Sequence, residues 1–355
     1  MKSLYIGSTE TFSGKSALAL GISLSAKEAG WTVGYMKPVA ISVGGQQQGA
    51  VDEDAAYACQ ALNLQESLSA IAPITLSRAD IERMLEGQVR TDYRHTLSDA
   101  YQRVSPGKDL VVMEGGGNLN EGFTIGLTAP VVIRLLNARA LVVVPYGANL
   151  VTDDALAAQA LLGQDLLGVV INRVPRYRMR FVEEVIRPYL TSQGLKVYGV
   201  LPEERLLQSV SVREIAERLD GEILCAEEAA DDLVENLMVG AMSVDSALSY
   251  FRRLPNKAVI TGGDRPDVQL AALETSTKTI ILTGNLRPSP IILSRAEEIG
   301  VPMILVKPDT LTTIETISGF FGRTRFRQAK KIERFRELLA DRFDLRRLFS
   351  DLDLK

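Results

Sequence analysis

Short apolar runs alternate with helix-length segments over about residues 1–205. Leu4-Tyr5-Ile6, Trp31 to Met36, Leu110 to Met113, Ala140 to Val144, Leu167 to Ile171 and Lys196 to Val200 read as strands. Lys15 to Ala29, stopped by Gly30, and Asp153 to Leu162 read as helices between them. Strands alternating with helices predict βαβ units and a mostly parallel sheet. Leu141-Val142-Val143-Val144 is apolar without alternation, as a strand covered on both faces must be. A polar, helix-rich stretch over about residues 77–104 interrupts the series. Its capping signals are Ser77 before Arg78-Ala79-Asp80 and Thr96 before Leu97-Ser98-Asp99.

The pattern restarts after Leu201-Pro202-Glu203. Val212 to Leu219 reads as a helix ending at Asp220-Gly221. Ala258-Val259-Ile260, Thr279 to Leu282 and Met303 to Val306 read as strands, separated by helices ending near Glu274 and over Ile291 to Ile299. From Arg323 to Asp353 apolar Ile332, Phe335, Leu338, Leu339 and Phe343 recur at helical spacing among charges, an amphipathic helix. The chain therefore divides into an α/β domain over 1–208, a smaller α/β domain over 209–322 and a helical tail over 323–355.

Composition narrows the class. A chain of 355 residues fits two domains. The net charge of −4 gives no clustered basic field, so no nucleic-acid partner is expected. No apolar run approaches the ~20 residues of a membrane span, and the first residues lack a signal-peptide core. No membrane association and a cytoplasmic location are expected. Cys59 and Cys225, far apart and outside any CxxC, read as small buried apolar residues of a reducing compartment. The single histidine, His95, excludes multi-histidine metal sites and reads as a surface residue.

The chemistry concentrates at a few strand ends. Gly7-Ser8-Thr9-Glu10-Thr11-Phe12-Ser13-Gly14-Lys15-Ser16-Ala17 follows a strand and opens a helix, the setting of a phosphate-binding P-loop. Small residues let backbone N–H groups converge on phosphate oxygens, and the helix N-terminus adds open donors and the positive end of a dipole. Lys15 would face the β- and γ-phosphates, and Ser16 would offer its hydroxyl to Mg²⁺. Thr9 stands where the standard pattern has glycine, so a plain strand-to-helix turn is the competing reading. Lys37, at the end of Gly34-Tyr35-Met36-Lys37-Pro38-Val39-Ala40, points toward the ligand crevice of an open α/β sheet. By itself it would be a solvent lysine at a loop entry. Asp52-Glu53-Asp54 opens a helix, where carboxylates suit the dipole without further function. Glu114 ends an apolar strand before Gly115-Gly116-Gly117, an arrangement that can hold Mg²⁺ directly or through water; the alternative is a structural ion pair.

Together these segments, with Asp54-Ala55 and Val170-Ile171-Asn172-Arg173-Val174, resemble the dethiobiotin synthetase family and the related cobyrinic acid a,c-diamide synthase-type P-loop proteins over about residues 1–205. The resemblance implies a P-loop NTPase-type sheet flanked by helices, with ATP and Mg²⁺ as cofactors. Thr11, Ser13, Gly14, Lys15, Ser16 and Asn172 would then bind nucleotide, Asn172 at the adenine edge. Ser16, Asp54 and Glu114 would surround the metal, and Lys15 and Lys37 would assist phosphoryl transfer. Ile41-Ser42 departs from the Ser-Gly the family has after Lys-Pro-Val-Ala, and its diamine-substrate segments are not recognisable here.

Val259-Ile260-Thr261-Gly262-Gly263-Asp264-Arg265-Pro266-Asp267-Val268, with Val239-Gly240-Ala241-Met242 and Leu282-Thr283-Gly284, resembles the DRTGG domain. Gly262, Gly263 and Arg265 either bind an anion or form a tight turn with an exposed arginine. The two resemblances in this order are similar to the N-terminal regulatory half of long phosphotransacetylases. They imply a nucleotide-binding regulatory protein and a homo-oligomer. A small-molecule effector at the second domain and a metabolic enzyme as partner are further expectations. Phosphate acetyltransferase activity is not expected of these residues alone. The alternative is an ATP-dependent ligase acting on a small amine or carboxylate.

Overall fold

The computed structural model describes residues 1–42, 52–88, 91–147, 150–321, 326 and 328–354. Residues 89–90 of the polar stretch, 322 at the end of the second domain and 323–325, 327 and 355 of the tail lie outside the described residues. The chain forms two compact units, Met1–Glu203 with Phe326–Lys355, and Glu204–Arg325.

In the first unit the strands are β1 (Lys2–Ser8), β2 (Val33–Met36), the short β3 (Ala40–Ser42) and β4 (Thr75–Ser77), then β5 (Leu110–Glu114), β6 (Arg139–Pro145), β7 (Leu166–Val174) and β8 (Val197–Pro202). β3 and β4 pair with each other. Among the described residues the others form a six-stranded sheet in the order β2-β5-β1-β6-β7-β8, parallel throughout. Leu110–Glu114 is buried at every position, and so is all of β6 after Arg139, because helices cover both faces. The chain leaves β1 toward β2 and β5 on one side and later crosses to β6 on the other. The order thus reverses beside β1, where open α/β sheets form their ligand crevice.

Helix α1 (Lys15–Glu28) starts directly from the loop after β1, with Gly14 left-handed at φ 98°. Helix Arg78–Leu85 begins with a capping box between Ser77 and Asp80, as its sequence predicts. The next helix, Tyr93–Val104, is capped by Asp92, whose carboxylate accepts from the His95 N–H. Thr96 falls one turn inside it, where its hydroxyl bonds back to Asp92 O. The tail is two helices, Ala329–Arg342 and Leu345–Asp351, because Phe343 turns extended and bridges to Gly199 of β8. Phe335, Leu338 and Leu339 are buried, and Phe335 and Leu339 pack onto α1 at Gly21. His95 is exposed beside Asp99, and both cysteines are free and half-buried.

The second unit has the small pair β9 (Val210–Ser211) and β11 (Leu233–Val234), and a sheet of β10 (Glu222–Ile223), β12 (Asn236–Val239), β13 (Lys257–Gly262), β14 (Thr277–Thr283) and β15 (Met303–Leu305). Its order is β10-β15-β14-β13-β12, parallel except for β10. β10 and β12 are too short or too mixed to show a period in the sequence. The architecture is the α/β one expected: a mostly parallel, helix-flanked sheet, a second smaller α/β unit and a helical C-terminus.

Candidate functional site

The loop after β1 is built to hold open donors. Phe12 (φ 53°) and Gly14 (φ 98°) are left-handed within it, so successive N–H groups turn to one side, an anion-binding nest. Among the described residues, no acceptor takes up the N–H groups of Phe12, Ser13, Gly14, Lys15 or Ser16. The hydroxyls of Thr9 and Ser13 are buried without a hydrogen-bond partner. Buried polar groups are normally satisfied, and an unsatisfied cluster beside a helix N-terminus suits a polyanion.

Lys15 is only 7% exposed. Its ammonium donates to Ser8 Oγ (2.9 Å), Gly117 O (3.1 Å) and Glu10 O (3.5 Å). Burial pulls its pKa down to about 8, against the opposing charges of Glu114 and Glu121. Thr11 lies beside Gly117, so the loop after β1 and the glycine run after β5 face each other.

Glu114, 3% exposed at the tip of β5, accepts from Ser16 Oγ at 2.7 Å through Oε1 and from the Tyr35 hydroxyl through Oε2. Lys37 stands 3.7 Å from the same Oε1, 2.9 Å from Asp52 and 3.4 Å from Asp54. Burial works against the Lys37 charge, but Glu114, Asp54 and Asp52 outweigh it and hold the ammonium above its ordinary value. Asp52 also caps its helix by accepting from the Ala55 N–H, so its capping role and its ion pair coexist. Among the described residues no three His, Cys, Asp or Glu side chains are placed to hold a metal ion by themselves. A hydroxyl and one carboxylate side by side instead suit Mg²⁺, which takes a few protein oxygens and completes its shell with water and phosphate oxygens.

Asn172, on β7, reaches back to the loop. Its Nδ2 donates to Ser13 O at 2.8 Å and its Oδ1 accepts from the Arg173 N–H. The structure thus brings Thr11, Ser13, Gly14, Lys15, Ser16, Lys37, Asp54, Glu114 and Asn172 around one strand end. Sequence reasoning missed three members. Tyr35 lay inside the motif that carried Lys37 but had no assigned role. Ser8 meets the Lys15 ammonium. Glu121, whose Oε2 accepts from the Gly117 N–H, fixes the glycine run. No sequence pattern marks Glu121; only its position after the glycines could have drawn attention.

The turn after β13 is arranged otherwise. Arg265 donates to both carboxylate oxygens of Asp267 and to Met242 O. Gln269 Nε2 donates to Gly262 O and Gly263 O. Gly263 lies so close to the Leu286 carbonyl that a Cβ would collide with it.

A parallel sheet whose order reverses beside a glycine-containing nest, with a lysine and serine opening the next helix, defines a P-loop α/β protein. The chain belongs to the AAA domain family, which matches residues 2–211; residues 214–320 match the DRTGG domain. The chain is 26% identical over 336 residues to a phosphate acetyltransferase of Synechocystis sp., covering 88% of this chain and 46% of that protein. It is also 26% identical over 371 residues to a phosphate acetyltransferase of Nitratidesulfovibrio vulgaris, covering 98% of this chain and 51% of that protein. An ATP-dependent dethiobiotin synthetase BioD of Methanococcus vannielii is 22% identical over 208 residues, covering 57% of this chain and 94% of that protein. The chain spans about half the length of the phosphate acetyltransferases it matches.

Proposed function

We propose that the first unit binds ATP with Mg²⁺ and that the chain is a nucleotide-responsive regulatory region, similar to the N-terminal part of the phosphate acetyltransferases. The observation that carries this is the cluster of open N–H groups and unpartnered Thr9 and Ser13 hydroxyls beside Lys15. The triphosphate would lie across the nest and take over at least one of the three hydrogen bonds that Lys15 now makes inside the loop. Ser16 and Glu114 would hold Mg²⁺, which supplies charge neutralisation between the phosphates and the acidic side chains. Asp54, bonded to Lys37, would stand behind that ligand pair. Asn172 keeps one Nδ2 hydrogen and one Oδ1 lone pair for the adenine edge, since the other of each is engaged. The DRTGG unit and a partner enzyme would read nucleotide occupancy. Homo-oligomerisation and a cytoplasmic setting belong to the same proposal.

Thermal unfolding with and without ATP and Mg²⁺ tests it. Ligand at about 100 times its Kd stabilises the folded state by ~2.7 kcal/mol, so a clear rise in Tm is expected. The rise should vanish in Lys15→Ala. No rise in the wild-type protein would overturn the proposal.

A second reading, an ATP-dependent ligase of the dethiobiotin synthetase type, is favoured by Lys37 beside Glu114. Because three carboxylates hold Lys37 charged, it would act as a cation on a transferring phosphoryl group and not as a nucleophile. ATP hydrolysis stimulated by an amine with bicarbonate, and lost in Lys37→Ala, would support it.

A further inference from the structure

We propose that Tyr35 is a positioning residue that keeps Glu114 available to a metal ion; this rests on the nucleotide–metal reading above. Tyr35 is 1% exposed on β2 and pairs in register with Val112 of β5. Its ring therefore lies two residues below the strand tip, and the phenol reaches forward to donate to Glu114 Oε2. Tyr5, on the other strand flanking β5, pairs with Met113, and its hydroxyl lies against Gly115. The order β2-β5-β1 thus places one buried phenol on each side of the tip, and only that of Tyr35 bonds the carboxylate.

The division of labour at Glu114 gives the tyrosine its meaning. One carboxylate oxygen is held by Tyr35, while the other faces the Ser16 hydroxyl at 2.7 Å. Lys37, 3.7 Å from that second oxygen, competes for it. Were the phenol oxygen removed, Glu114 would be free to turn both oxygens toward the Lys37 ammonium and away from Ser16. Groups that orient a metal ligand through a hydrogen bond typically change metal affinity about 10- to 100-fold. A tyrosine that only filled the core would leave the metal dependence alone, because Tyr35→Phe keeps the ring.

The test is the Mg²⁺ dependence of ATP binding, read by calorimetry on wild type and Tyr35→Phe. The concentration of Mg²⁺ giving half-saturation should rise about tenfold, while ATP binding in EDTA stays within about twofold. In a Glu114→Gln background the Tyr35→Phe change should have no further effect on Mg²⁺ dependence, because the pair acts as one unit. If wild type binds Mg²⁺–ATP and Tyr35→Phe has the same half-saturation, the positioning role is overturned. A wild type that binds no Mg²⁺–ATP overturns the reading beneath it, a separate result. A measurement on wild type does not depend on the variant's folding. Infrared difference spectra on adding Mg²⁺ to the ATP-bound protein should show a shifted phenol C–O band, absent in Glu114→Gln. An unshifted band in wild type counts against the proposal.

Discussion

Two turns in this molecule share a plan and differ in what their polar groups do. After β1 and after β13, a parallel strand ends in glycine-containing chain that opens a helix. In the first, the N–H groups from Phe12 to Ser16 meet no acceptor among the described residues and two buried hydroxyls have no partner. In the second, Gln269 Nε2 holds the Gly262 and Gly263 carbonyls, Arg265 is engaged by Asp267 and Met242, and the Leu286 carbonyl packs on Gly263. The one buried side-chain polar atom without a partner there, Gln269 Oε1, is an acceptor and would repel an anion. Strand, turn and helix are therefore not sufficient for a phosphate site. The side chains make the difference: unpartnered hydroxyls and a buried lysine in the first turn, an ion-paired arginine and a glutamine bonded to the turn carbonyls in the second.

The largest expected effect falls on the first turn alone. Lys15→Ala removes about two charge-assisted bonds to phosphate at ~1.5 kcal/mol each, which lowers ATP affinity about 100-fold by calorimetry. Gly263→Ala should leave ATP affinity unchanged and destabilise the second unit by about 2 kcal/mol in denaturant unfolding, because the new methyl meets the Leu286 carbonyl. An ATP defect in Gly263→Ala, or an unfolding defect as large in Lys15→Ala, would break the comparison.

The pH dependence sharpens it further. Lys15, with a pKa of about 8, is charged at pH 7 and discharges in the free protein as pH rises past that value. Phosphate favours the charged form, so the bound lysine keeps its proton to higher pH. Affinity should be flat below about pH 7 and fall above 8 by up to about tenfold per pH unit, by proton linkage. Lys15→Ala should lose this slope. The smallest effect is Arg265→Ala, a drop in Tm below that of Gly263→Ala with ATP affinity intact. Its guanidinium is partly exposed, and exposed ion pairs contribute little. An anion that protects wild type but not Arg265→Ala would show that the second turn opens after all.

Most of the sheet was legible because buried parallel strands are continuous apolar runs and the helices between them have period and caps. The strand–loop–helix carrying Lys15 and Ser16 is contiguous in sequence, so its local geometry could be read directly. What failed to show was short or ambiguous. β10 has two residues, β12 lacks a clean period, and Asp92 competed with Thr96 as a cap in a stretch where both suit a helix start. The break at Phe343 was hidden because its apolar side chain fits the helical spacing of the tail, while its backbone bridges to Gly199.

By itself the sequence determined where most of the longer strands and helices lie and which residue types stand at strand tips, since both follow from neighbours a few positions apart. Only the tertiary structure decided that Glu114 would be shared by Ser16 and Tyr35, that Asn172 would pin Ser13, and that Gly117 would meet Lys15. Those contacts join residues about 80 to 160 positions apart. They exist because the sheet sets β5 between β2 and β1 and carries β7 to the same edge of the crevice, an ordering that no local pattern encodes.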